Sequence, residues 1–67
     1  MNTTNPELTV AVWQSNRDAV MENPAIAAVA QARAEYPKAQ ILGVRQLSQQ
    51  RIKTGRWVEM AVEMRFI

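Results

Sequence analysis

The last twelve residues of the chain, RWVEMAVEMRFI (Arg56–Ile67), alternate apolar and polar side chains up to the final residue. A period of two is typical of a β-strand that buries one face. The apolar row consists of Val58, Met60, Val62, Met64 and Phe66. We therefore expect a half-buried strand that is paired within a sheet along its whole length.

A chain of 67 residues forms a single domain with a small core, because chains of this size bury only about 60% of their unfolded surface. The sequence contains no Cys and no His. Disulfides and thiolate or imidazole metal ligands are therefore excluded, and we expect neither a metal nor a cofactor. Oligomerisation is the remaining way to bury more surface, so a homo-oligomer is expected.

No apolar run approaches the roughly 20 residues that a membrane span requires. The first residues, MNTTNPE, lack the charged and apolar regions of a signal peptide. We therefore expect a cytoplasmic protein that makes no membrane contact. Residues 1–7 are polar and contain Pro6, which predicts a flexible lead-in to a single domain over residues 8–67.

The first predicted strand is LTVAVWQ (Leu8–Gln14), which alternates and is rich in β-branched residues. Asn23-Pro24 then places a good N-cap before Pro at the first helical position. The helix that follows is rich in Ala and is closed by Pro37. Its Ala content indicates a flat face close to a sheet. Its larger side chains repeat at helical spacing at Ile26, Val29, Ala30, Arg33 and Tyr36.

The segment between the first strand and this helix has two interpretations. Ser15, followed three residues later by Asp18, is a weaker helix start than Asn23-Pro24. Residues 17–22 either form a first, kinked part of the same helix or lie outside it.

The second half of the chain predicts a long hairpin. Gln40–Ile52 and Arg56–Ile67 flank Lys53-Thr54-Gly55, which fits a three-residue loop with a left-handed Gly. That loop pairs Ile52 with Arg56. It also sets Arg45 opposite Glu63, Leu42 opposite Phe66, Val44 opposite Met64 and Arg51 opposite Trp57. A two-residue loop would mix apolar and polar faces, so the three-residue loop is preferred.

The order of these elements is β-α-β-β. We therefore predict an α+β fold in which one Ala-rich helix packs on a three-stranded antiparallel sheet with a long C-terminal hairpin.

The length of the hairpin predicts an oligomer contact. Strands of twelve residues extend about 40 Å, whereas a helix of thirteen residues spans about 20 Å. One short helix leaves the far half of the hairpin uncovered. We expect another copy of the chain, or a partner, to cover the row Val58, Met60 and Val62.

Catalysis has little support in the residue types present. Glu59 and Glu63 share a strand face, but four residues of strand separate them by roughly 13 Å. That separation exceeds the widest carboxylate spacing used in glycoside hydrolysis. We therefore predict that the protein is not an enzyme.

The basic residues are concentrated near the predicted turn. Residues 1–40 hold three cations against four acids, a net charge of −1, and residues 41–67 hold five against two, a net charge of +3. Strand cations either prevent edge-to-edge aggregation or contact a partner. In the alternative, a two-stranded ribbon binds nucleic acid with Arg and Lys on phosphates. The predicted partner-binding residues are Arg45, Arg51, Lys53, Arg56, Trp57 and Trp13.

Trp13 and Trp57 occupy the polar-side rows of their strands. A Trp in such a row packs over the stem of an Arg such as Arg51, or it anchors an interface, since Trp and Arg dominate binding energy. Stacking on a flat cofactor is a third interpretation.

The order of a short strand, one helix and a long hairpin is similar to that of the dodecins, small flavin-binding proteins that assemble into hollow shells. The segment VEMAVEMRFI resembles their last strand in pattern. The resemblance implies an oligomeric flavin or small-ligand binder. The aromatic residue that this family places early in its second strand is replaced by aliphatic residues in QILGV (Gln40–Val44), and the polar position of the last strand falls on Glu59.

The function that the sequence favours is a small, non-enzymatic protein-interaction module that associates with itself or with a protein target. Cysteine-free chains of this size without motifs are often inhibitors of host proteins encoded by phages or mobile elements, which is a second expectation. The alternatives are a nucleic-acid-binding β-ribbon and a dodecin-like ligand binder.

Overall fold

A computed structural model describes residues 5–66 of the protein. Within this range lie strand β1 (Glu7–Ser15), helices α1 (Asn16–Met21) and α2 (Pro24–Glu35), and strands β2 (Gln40–Ile52) and β3 (Gly55–Arg65). The strands form one antiparallel sheet, so the predicted α+β fold is confirmed. The helical part differs, because the chain forms two helices where one was predicted.

β3 lies at the centre of the sheet, in the order β1-β3-β2. β1 pairs with it from Glu7 to Ser15, one residue earlier than the predicted start of the strand. Hydrogen bonds to β3 also fix the two residues that precede β1. Met64 N–H donates to the Pro6 carbonyl at 3.0 Å, and Asn5 Nδ2 donates to Glu63 Oε1 at 3.2 Å. Residues 1–4 of the predicted lead-in lie outside the described range.

Helix α1 begins at the weaker of the two predicted start signals. The Ser15 hydroxyl accepts from Asp18 N–H at 3.2 Å and caps the helix. The helix ends after one and a half turns, where Glu22 N–H donates to the Asp18 carbonyl at 2.8 Å. Ser15 and Asp18 therefore define a separate helix and not a kinked start of α2.

Helix α2 begins and ends where the sequence predicts. Asn23 Oδ1 accepts from Ala25 N–H at 3.0 Å, and Tyr36 N–H donates to the Ala32 carbonyl at 2.8 Å just before Pro37. The predicted Ala face is confirmed, since Ala28 and Ala32 are fully buried against the sheet.

The larger side chains that repeat at helical spacing along α2 do not form its packing face. Ile26 is 70% exposed, and Ala30, Arg33 and Tyr36 are exposed as well. The small side chains of the opposite face pack on the sheet instead, because they let the helix backbone lie close to it.

Replacing Ala32 with Leu is expected to lower the free energy of unfolding by about 1–3 kcal/mol, because the added atoms have no space between helix and sheet. Ala34 lies one half-turn away and is exposed. Ala34→Leu is the matched control and should leave stability within about 0.5 kcal/mol of the parent. Chemical denaturation followed by circular dichroism measures both. Equal effects of the two substitutions would contradict the assigned packing face.

The core lies between α2 and one face of the sheet. Its fully buried larger side chains are Val10, Val58 and Val62. Ala28 and Ala32 complete it from the helix, together with Val12, Met60 and Met64 from the sheet.

The predicted reason for an oligomer contact at Val58, Met60 and Val62 is therefore wrong. These residues are 0%, 4% and 0% exposed, respectively, and this chain itself covers them. The length comparison failed because these residues lie on the central strand. There β1 flanks them, and two helices, not one, lie on the same face.

The hairpin turn is shorter than predicted. Ile52 pairs with Gly55 across a two-residue turn, Lys53-Thr54. Gly55 does not adopt a positive φ, so the predicted left-handed Gly is wrong as well.

Two register shifts in β2, between Gln46 and Ser48 and between Ile41 and Gly43, change the rest of the pairing. Arg45 lies opposite Ala61 and not Glu63, and Gln50, not Arg51, lies opposite Trp57. Met64 pairs with Ile41 in place of Val44. Each bulge moves the following side chains of β2 to the opposite face of the sheet. Apolar side chains of β2 therefore again lie opposite apolar side chains of β3, which an uninterrupted two-residue hairpin would not achieve.

The sequence register predicted that Phe66 is buried over Leu42, and this prediction is wrong. Its ring is 52% exposed and meets Tyr36 edge to face, with centroids 5.5 Å apart and planes at 78°. Such a pair contributes about 0.5–1.5 kcal/mol beyond area burial, less than a core Phe would. The other end residue, Ile67, lies outside the described range. No helix within residues 5–66 is long and apolar enough to cross a membrane.

Candidate interaction surface

Within residues 5–66, one face of the sheet is free of helices, and we call it the open face. Both helices pack on the opposite face, where Val10 and Val12 of β1 and Val58 and Met60 of β3 are buried. Because side chains alternate along a strand, the residues between them point to the open face. From β1 and β3 these are Thr9, Ala11, Trp13, Trp57, Glu59, Ala61 and Glu63.

Trp13 and Trp57 form the aromatic part of the open face. They are direct cross-strand partners, and their ring centroids lie 5.3 Å apart at an interplanar angle of 55°. The two rings therefore pack on each other, and not over the stem of Arg51. Trp13 remains 40% exposed and Trp57 47% exposed. Each indole is thus packed against the other on one side and accessible on the other.

A shallow depression lies beside Trp57 on the same face. It is lined by Ala11, Ser48, Gln50 and Glu59 together with the indole and has a volume of about 400 Å³. A small apolar floor, a ring wall and hydrogen-bonding groups on the rim are typical of a surface that receives a partner side chain or a flat ligand.

An ion pair occupies the other end of the open face. Arg45 donates to both carboxylate oxygens of Glu7, with hydrogen bonds of 3.0–3.3 Å. Ala61, opposite Arg45 in the register, is only 3% exposed although it lies on this face. The side chain of Arg45 is 65% exposed, so the pair contributes little to stability. The ion pair does, however, mean that Arg45, one of the predicted partner-binding cations, already has a partner within the chain.

Arg56 is engaged on the helix-bearing face. Its Nε donates to Gln14 Oε1 at 2.9 Å and its Nη1 to Gln49 Oε1 at 2.7 Å. Gln14 is only 3% exposed, and its Nε2 donates to the Glu22 carbonyl at 3.0 Å. This buried amide satisfies both its donor and its acceptor.

Sequence reasoning missed Gln14 as a structural residue. The available signal was its position: it continues the buried row of Leu8, Val10 and Val12, where a polar residue needs hydrogen-bond partners inside the fold.

The six predicted partner-binding residues therefore do not form one site. Trp13, Trp57 and Arg45 lie on the open face, Arg51 and Arg56 on the other, and Lys53 in the exposed turn. Their partner-binding roles stay predictions.

No group of three acidic side chains able to hold a metal ion occurs within residues 5–66. Comparison of the chain with protein-family models, with curated proteins and with solved structures found no match. The resemblance to the dodecins thus remains one of pattern.

Proposed function

We propose that the protein is a non-enzymatic interaction module that associates with itself through the open face of its sheet. One observation carries this proposal: the two indoles of the open face form an exposed cross-strand pair outside the core. Trp13 is 40% exposed and Trp57 47% exposed, while the core is built from Val, Ala and Met. Large aromatic rings are the side chains that dominate the binding energy of interfaces.

The extended shape supports the same proposal. The radius of gyration is 13.1 Å, compared with about 11 Å for a compact domain of this length. An extended shape leaves more surface available for contact with a partner.

The charges of the open face favour a second copy as the partner. The face carries the cation Arg45 beside Glu7 and Glu63 at one end and the anion Glu59 beside the indole pair. Two copies related by a two-fold axis present the same patch to each other, so Arg45 of each copy can meet a carboxylate of the other while the indoles meet near the axis.

The test is the mass of the protein in solution with Trp57→Gln. We expect the parent protein to sediment with at least twice the 7.6 kDa mass of one chain at micromolar concentration. Trp57→Gln should weaken the association at least about tenfold, the effect of losing one interface anchor. Sedimentation velocity over a dilution series measures both.

The matched control is Ile26→Gln, which removes an apolar side chain that is 70% exposed on α2. It should leave the mass unchanged, because α2 packs on the other face of the sheet. A parent protein that stays monomeric at high micromolar concentration contradicts self-association, and equal effects of the two variants contradict the assigned face.

A flat ligand is a second candidate occupant of the depression beside Trp57, because its volume and indole wall suit a planar ring. The same sedimenting species should then carry visible absorbance of a bound flavin, and Trp57→Gln should remove it. Colourless protein that does not bind added flavin excludes this candidate.

The nucleic-acid alternative has less support. Arg45 and Arg56 make their hydrogen bonds within the chain, and the predicted cations are divided between two faces. Inhibition of a host protein stays a prediction. The residues of the open face neither support nor contradict it.

A further inference from the structure

Arg51 and Arg56 form a cross-strand pair of like charges next to the hairpin turn. Arg56 shares its face with Val58, so the pair lies on the helix-bearing side and not on the open face. Like charges directly opposite each other destabilise an antiparallel ladder. No acidic side chain relieves this repulsion, because the one ion pair within residues 5–66 joins Arg45 to Glu7 and involves neither arginine of the cross-strand pair.

The guanidinium of Arg56 is held in place by neutral groups. Gln14 Oε1 and Gln49 Oε1 accept from its Nε and Nη1, and the buried Gln14 amide is fixed in turn by the Glu22 carbonyl. These acceptors orient the guanidinium without neutralising it. Its Nη2 donates to no group among the described residues, and neither does any nitrogen of the Arg51 guanidinium. Two cationic groups with free donors thus stand side by side.

Both arginines line one cavity of about 240 Å³ between the hairpin and α1, together with Asn16, Ala19 and Val20. No acidic side chain of the described part of the chain lines it. Asn16 is itself fixed there, since its Nδ2 donates to the Lys53 carbonyl at 2.9 Å and its backbone N–H to the Thr54 carbonyl at 3.2 Å. The cavity wall is therefore tied to the turn that the two arginines flank.

We propose that this cavity binds a phosphate group, either inorganic phosphate or the phosphate of a small phosphomonoester. Two guanidinium groups match the charge of a dianion, and their planar donors suit bidentate contact with tetrahedral oxygens. Ala19 and Val20 leave an apolar wall against which the organic part of a monoester can pack. Binding also removes the repulsion between the paired cations. The site does not depend on the proposed self-association, because it lies on the opposite face of the sheet.

The experiment measures binding of inorganic phosphate and of phenyl phosphate to the full chain by isothermal titration calorimetry at constant ionic strength. Arg51→Gln should weaken binding of both probes by about tenfold or more, since it removes a charge-assisted contact. The matched control is Lys53→Gln, which makes the same charge change two residues away on an exposed side chain. It should weaken binding by less than about twofold, because salt screens an exposed charge that makes no direct contact.

Stability gives a second readout that does not depend on affinity. In buffer without phosphate, Arg51→Gln should melt at the same temperature as the parent or higher, because the like-charge pair is gone. Added phosphate should raise the melting temperature of the parent and of Lys53→Gln but not that of Arg51→Gln. Sedimentation of Arg51→Gln should match the parent, which separates this site from the open face.

Several results would overturn the site. One is the absence of phosphate binding by the parent chain, and another is equal loss in Arg51→Gln and Lys53→Gln. Tighter binding of a DNA duplex than of either probe, with similar loss in both variants, would indicate a diffuse nucleic-acid surface instead. Stronger binding of phenyl phosphate than of inorganic phosphate identifies the monoester as the ligand, and equal binding identifies the free ion.

Discussion

Gly55→Ala is expected to lower the free energy of unfolding by about 3 kcal/mol, the upper end of the usual cost of overpacking. A Cβ at this position would clash with the Gln14 carbonyl oxygen and lie 2.9 Å from Ser15 Cα. Both atoms belong to the backbone of the paired strand β1, so neither can move aside as a side chain would. In a domain of this size the melting temperature should fall by about 12 °C or more.

The matched control is Gly43→Ala. Gly43 also lies in a strand, and a Cβ there would meet no atom within 4 Å. Its φ is not positive, so Ala fits the backbone and should leave the melting temperature unchanged or slightly raised. A thermal melt followed by circular dichroism measures both variants. A Gly55→Ala protein as stable as Gly43→Ala would show that β1 does not approach the hairpin turn as closely as described.

Gly55 also shows where the sequence interpretation of the hairpin failed. A Gly at the end of a short loop favours a left-handed turn residue, and that expectation led to a three-residue loop and the wrong register. The structure uses Gly55 for a different reason, the close approach of the strand that pairs with it. Close approach depends on a partner 40 residues away in the chain and leaves no local signal.

The strands themselves were predictable because they alternate. β1 and β3 alternate between buried and exposed residues, apart from the buried Ala61, so their faces and the position of Trp13 and Trp57 on one of them follow from the sequence. β2 was predictable in its bounds but not in its faces. Its two bulges each reverse the alternation, and no Gly or Pro marks the bulge at Leu47.

The candidate surface was predicted only in part. The aromatic pair follows from the alternation of the two strands, whereas the separation of the cations between two faces depends on the register and its bulges. The buried Gln14 and the paired charges of Arg51 and Arg56 became visible only when the contacts on the helix-bearing face were known.

The division between a small aliphatic core and exposed aromatic side chains connects stability with function in this chain. The core supplies about 3–5 kcal/mol in a domain of this size. A substitution that costs more than this stability unfolds the isolated chain, so tests of association require exposed positions such as Trp57 and not the apolar row of β3.

Met60→Lys is expected to leave the chain largely unfolded. Met60 is 4% exposed within the cluster of Val58, Val62 and Ala28. A charged amine at this position loses its hydration and gains no partner, which costs several kcal/mol. That cost matches or exceeds the stability of the whole domain.

Two controls test whether the expected unfolding is due to burial of the charge. One adds the same charge at an exposed position, and the other removes Met60 without adding a charge. Ala11→Lys adds the same charge to the exposed face of β1, opposite Glu59, and should stay folded. Met60→Leu keeps the apolar volume and should cost less than about 1.5 kcal/mol. Circular dichroism and sedimentation at several protein concentrations measure all three variants. If Met60 instead served as an oligomer contact, Met60→Lys would yield a folded monomer; the structure predicts loss of secondary structure at every concentration.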